Sequence, residues 1–84
     1  MSEMLDNKAE KRFEIEINGE IVFANYRHEG KKLFIDHVEA PIALRGKGAA
    51  GLLMQEIKNH ALEQKLEITP ICGYAAAWLK RHTE

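Results

Sequence analysis

The chain has 84 residues, fewer than the usual ~100 to 200 per domain, so it holds one small domain whose modest core favours groove-like sites over an enclosed chamber. Its 12 Lys+Arg against 13 Asp+Glu leave a formal net charge of -1, which excludes the broad basic face of a dedicated nucleic-acid binder. Apolar residues at 45% and charged ones at 30% exclude disordered, collagen-like and fibrous classes.

Residues 1–12 carry mixed charge with no sustained apolar period and read as a flexible lead-in; residues 13–84 read as the single domain. Phe13, Ile15 and Ile17 alternate with Glu14 and Glu16, the pattern of a strand with one wet face. Asn18-Gly19 is a strong hairpin signal, because both residues tolerate positive φ, and the apolar run from Ile21 to Tyr26 supplies the partner strand. A second break at residues 28–31 leads into a third strand ending at Glu39. An arm, residues 40–44, precedes the turn Arg45-Gly46-Lys47-Gly48-Ala49-Ala50-Gly51. Ala50, Leu53, Met54, Ile57 and Ala61 then recur at helical spacing, which predicts an amphipathic helix over about 48–64. A short strand ending at Pro70 follows. Beyond Cys72-Gly73 an Ala-rich helix closes with Lys80 and Arg81, where cations suit a helix C-terminus. The order β-β-β-α-β-α predicts an α+β fold, an antiparallel meander joined to one parallel β-α-β unit.

The parallel unit matters for function. A strand, a crossover helix and a second strand run the same way, so the ends near Glu39 and Pro70 lie together. That end of a sheet is where ligands bind, and it gathers His37, Glu39, the glycine turn and Cys72. Gly46, Gly48 and Gly51 leave the backbone uncluttered, and unpaired N–H groups at the helix start attract phosphate. Arg45 and Lys47 add full positive charges, which a merely tight turn does not require. The string satisfies GxGxxG, yet the dinucleotide fingerprint needs its first glycine at the strand tip, an acidic residue ending the next strand and a larger sheet. None is met. A Walker A loop fails as well, since no Gly-Lys-Ser/Thr follows at the required spacing.

The single cysteine cannot form an internal disulfide, no apolar run reaches the ~18 residues of a membrane helix, and no basic-then-apolar leader opens the sequence. These features predict a cytoplasmic protein of a reducing compartment with no membrane or nucleic-acid partner, a monomer or a dimer.

The turn, residues 45–50, fits the Arg/Gln-x-x-Gly-x-Gly/Ala pyrophosphate loop of the GNAT superfamily of acetyl-CoA-dependent N-acetyltransferases. HVEAPIALRGKGAAGLLM followed by ITPICGYAAAWLKRH resembles its very small, minimal group, over roughly residues 13–83. His37, Glu39, Pro41, Arg45, Gly46, Gly48, Pro70, Cys72, Tyr74, Arg81 and His82 match that group's motifs. Val38, Ala40 and Thr83 depart, standing where the group usually has Thr, Val and Pro. The resemblance implies an acetyl-CoA site, with the backbone of Leu44, Arg45, Gly46, Lys47, Gly48, Ala49 and Ala50 cradling the pyrophosphate and the pantetheine along the strand near Val38. It implies transfer to an amine acceptor, a small molecule or a protein lysine; the alternative is a module that holds CoA without turnover.

Acetyl transfer to an amine needs a deprotonated nucleophile, a stabilised oxyanion and a proton for the departing thiolate. Cys72, just past a strand end, is a candidate acetyl acceptor, or else a small buried hydrophobe. His37 and Glu39 are candidate bases; period two places them on the face of Leu33 and Ile35. Tyr74 is a candidate acid, as tyrosine is in many larger GNAT enzymes, or packs beside Trp78 at i, i+4. Trp78 reads as core. No metal ligand set is expected.

Overall fold

The structure, a computed structural model, describes residues 4–82. In chain order the elements are β1 (Leu5–Asn7), β2 (Arg12–Ile17), β3 (Glu20–Glu29), β4 (Lys32–Glu39), a 3-10 turn (Ile42–Leu44), α1 (Ala49–Gln64), β5 (Glu67–Pro70) and α2 (Gly73–His82). The strands make one sheet in sequence order, β1 to β4 antiparallel and β4–β5 parallel, the α+β arrangement that the sequence predicts. Asn18 (φ 52°) and Gly19 (φ 80°) both take positive φ, as a two-residue turn matched to strand twist demands. His28 and Glu29, read as part of a break, instead belong to β3, which runs on to a turn of Gly30 and Lys31.

The lead-in reading of residues 1–12 misses β1. Three residues are too few to show a period, and Leu5 remains 58% exposed; the ladder to β2, side-chain bonds and Met4 against the core hold the strand. Asn7 donates to Glu14 at 3.0 Å, and the Tyr26 hydroxyl donates to Asp6. Residues 1–3 lie outside the described residues, as does Thr83.

Both helices pack on one face of the sheet. Phe13, Ile15, Val22, Ala24, Leu33 and Ile35 meet Leu53, Met54 and Ile57 of α1 and Ala75 and Trp78 of α2 in one buried cluster. Each large side chain fully withdrawn from water contributes about 1.5–3 kcal/mol. Ala49 rather than Ala50 completes the inner stripe of α1; Ala50 sits half-exposed beside the glycine turn. On the opposite face of the sheet, Arg12, Glu14, Phe23, Asn25, Arg27, Phe34 and Thr69 alternate with the core residues, and none of them is buried. No described helix covers that face.

A β-bulge in β4 overturns one expectation. Tyr26 pairs with Ile35 but Asn25 pairs with His37, so Asp36 is an extra residue in the ladder. One extra residue reverses the side-chain alternation. Beyond it Val38 and Ala40 pack on the core, while His37 and Glu39 point to the helix-free face, opposite to Leu33 and Ile35. No described helix is long and apolar enough to cross a membrane.

Candidate functional site

Successive backbone bonds coil the segment after β4 into the glycine turn, Leu44 N–H to Pro41 O at 2.9 Å, Arg45 N–H to Ile42 O at 3.2 Å and Lys47 N–H to Leu44 O at 3.2 Å. Leu44, only 6% exposed, pins it to the core. Gly46 (φ 77°) and Gly48 (φ 78°) are both left-handed, a conformation costing an L side chain roughly 1–2 kcal/mol. Neither has another group within 4 Å of where a Cβ would stand, so the turn opens onto free space.

α1 begins directly behind it. Gly48 is its N-cap and no side chain caps it; the first helical bond runs from Leu52 N–H to Gly48 O at 3.0 Å. The amides of Ala49, Ala50 and Gly51 precede that bond, at the positive end of the helix dipole. A cleft of about 310 Å³ lies here, lined by Leu44, Arg45, Gly46, Gly48 and Ala50, with Tyr74 of α2 across it. Arg45 is 60% exposed, its Nε donating to Ala40 O at 3.1 Å. Lys47 is exposed on the turn.

Ala40, just past the end of β4, and Tyr74, near the start of α2, also line the cleft, and the sheet forks between these two elements. β4 and β5 pair only as far as Ile35 and Pro70, where the amides of Ile71 and Cys72 both bond Ile35 O, at 2.9 and 3.0 Å. From there β5 gives way to α2, and the β4 edge over residues 36–39, Val38 included, has no strand beside it on that side among the described residues. Cys72 stands at this fork as the first acceptor of α2, taking the Ala76 N–H at 2.9 Å. Its thiol is free, half-buried and packed against the core.

Tyr74 is 40% exposed, and burial raises its phenol above the ordinary value, with Arg81 pulling the other way. A Cβ on Gly51 would lie 3.8 Å from the Tyr74 hydroxyl and 3.3 Å from Trp78 Nε1, so the missing side chain lets α2 close on the first turn of α1. That role of Gly51 escapes sequence reading, which counts the third glycine only among those that leave the turn's backbone uncluttered. Trp78 is core as expected, 4% exposed and stacked on His82 at 3.9 Å between ring centres.

On the helix-free face, His37 Nε2 lies 2.8 Å from Glu39 Oε1, and Arg45 reaches Glu39 Oε2 at 3.9 Å. The His37 hydrogen bond, reinforced by the Arg45 charge, lowers the Glu39 carboxyl below the usual carboxylate range. An ionised carboxylate only accepts, so Nε2 carries the hydrogen of this bond, and a ring with that single proton keeps a lone pair on Nδ1. The candidates thus fall into two groups, His37, Glu39 and Arg45 around the end of β4, and Cys72 and Tyr74 at the start of α2. No hydrogen bond joins Cys72 to His37 or Glu39 among the described residues.

The donors suit a pyrophosphate: amides at a helix start that no side chain caps, the exposed cations Arg45 and Lys47 on the turn, and two glycines that leave the approach open. A family model described as GCN5-related N-acetyl-transferase matches residues 12–84, which takes in the whole sheet from β2 onward, the glycine turn and both helices. By that match, with its uncapped glycine turn beside a forked sheet, the chain belongs to the GCN5-related N-acetyltransferase family.

Proposed function

We propose that this domain binds acetyl-CoA and moves its acetyl group to an amine. The observation that carries this reading is the turn of Gly46 and Gly48 opening the uncapped α1, in a cleft that Ala40 just past β4 and Tyr74 near the start of α2 also line. The backbone of residues 44–50 would hold the pyrophosphate, Arg45 and Lys47 would neutralise it, and the β4 edge at Val38 would bond the amides of the pantetheine arm. Bound there, acetyl-CoA supplies an activated thioester carbonyl.

The chain's own residues handle protons. Glu39 holds His37 with Nε2–H donated, which leaves Nδ1 to take the proton that an acceptor ammonium must shed before its nitrogen attacks. Tyr74, whose burial keeps its phenol protonated, gives a proton to the departing sulfur. Cys72 at the fork is the position for a thiol that accepts the acetyl group first, in a two-step transfer.

The test is mass spectrometry of the protein incubated with acetyl-CoA, under native conditions and after denaturation, for wild type and Cys72→Ala. A saturable native complex is the expected result. A covalent acetyl group that disappears in the alanine variant supports the two-step route, and its absence from an active wild type supports direct transfer. Binding without any acetyl movement assigns the domain as a CoA-holding module, and no native complex overturns the reading.

A further inference from the structure

We propose that the trough between the two helices over β5 is a second ligand site, which takes a single alkyl chain ending in a carboxylate, a medium-chain fatty acid. The proposal is independent of the acetyl-transfer reading, because this trough shares no lining residue with the cleft at Gly46 and Gly48. Strand alternation supplies its floor. Ile68 stands beside buried Leu33 in the β4–β5 ladder, so Leu66 just before β5, Ile68 and Pro70, two apart, present one face to the helices. The helices do not close over that face: all three residues stay half-buried and line a concavity of about 430 Å³. Leu62 of α1, 69% exposed, and Leu79 of α2 add apolar walls.

The chemistry of the lining selects the occupant. Besides apolar side chains it holds only Lys58 and Lys80, one from each helix. Lys58 Nζ donates to His82 O at 2.7 Å, a neutral acceptor that leaves the ammonium its charge and two further donors. No carboxylate lines the trough, and none among the described residues pairs with either lysine. An anionic group at the trough therefore meets two uncompensated cations.

Apart from the two ammonium groups, the lining has no hydrogen-bonding side chain and no aromatic ring. A sugar or a nucleotide would leave its polar groups unmatched there, and an aromatic ligand would have no ring to stack on. A polypeptide strand fares no better, since Pro70 offers no backbone donor on the outer edge of β5. An alkyl chain needs only apolar contact, and its carboxylate, ionised at neutral pH, belongs at the lysines. The volume lies within the ~300–1,000 Å³ of small-ligand pockets.

The experiment titrates decanoate, decanol and decyltrimethylammonium into the protein, each below its micelle-forming concentration, and follows methyl and amide shifts. Decanoate should give saturable shifts at Leu62, Ile68 and Leu79. Its Kd should be about fivefold below that of decanol, the difference one exposed ion pair makes, and the cation should bind weakest. Raising KCl should erase the advantage over decanol, a readout that survives if a variant fails to fold. Lys80→Gln should reduce the same advantage and leave decanol binding unchanged. Ala76→Leu, which fills the trough from an exposed helix position, should abolish binding of both. Equal affinity for decanoate and decanol, shifts that never saturate, or shifts gathered at Gly46 and Gly48 would each overturn the proposal. A response of Leu62, Ile68 and Leu79 only to anionic vesicles or to an acidic peptide would overturn it as well.

Discussion

Gly48 carries two loads that one substitution pair separates. Its φ of 78° is left-handed, which costs an alanine roughly 1–2 kcal/mol. Alanine also narrows the unfolded ensemble, which returns about 0.4–1 kcal/mol. Nothing lies within 4 Å of the added Cβ, so no clash enters the sum. Gly48→Ala should therefore lose about 1 kcal/mol, a fall in Tm of about 4–8 °C for a domain of this size. Gly48→Asn should stay closer to wild type, because asparagine enters the left-handed region more readily. Both variants place atoms at the mouth of the cleft. Both should weaken acetyl-CoA binding at least tenfold, or about 1.4 kcal/mol. Thermal unfolding followed by circular dichroism reads the first load and titration calorimetry the second. An asparagine variant that binds acetyl-CoA like wild type would refute the cradle; an alanine variant with undiminished Tm would refute the backbone argument.

Three further outcomes are expected. Lys65 ends α1 at φ 58° with its amide turned back to Leu62 O, so Lys65→Gly should gain about 0.5–1 kcal/mol, seen as a higher Tm. Burial, then the hydrogen bond to Asp6, push the Tyr26 phenol up to about 12 from 10.0. Its stabilisation is whole below the unfolded value and is lost as pH rises between about 10 and about 12, and Asp6→Asn should bring the Tyr26 transition at 295 nm to lower pH. Hydrogen bonds from Arg12 and Asn7 lower the Glu14 carboxyl, so its contribution is present above the ordinary carboxylate range and fades as pH falls through the lowered value. Urea unfolding of wild type and Glu14→Gln should therefore differ at pH 7 and converge in strong acid; a constant gap would refute the assignment.

Periodicity and turn chemistry, both local, made most of the fold legible. Phe13, Ile15 and Ile17 declare β2, Asn18-Gly19 declares the hairpin, and the spacing of Leu53, Met54 and Ile57 declares α1 with the correct inner face. The parallel pairing of β4 with β5 follows from connection rules. Tertiary structure decided what depends on partners remote in the chain. β1 is held by Glu14 and Tyr26, whose positions no three-residue stretch encodes. Gly51 is required by Trp78, 27 positions further on. The side on which His37 and Glu39 stand is set by a single unpaired residue in the β3–β4 ladder, and a bulge leaves the hydrophobic alternation of its own strand nearly unchanged to the eye, because Ile35 and Val38 read equally well in either phase. Strict period two puts the pair in the core; one extra residue turns it to the open face.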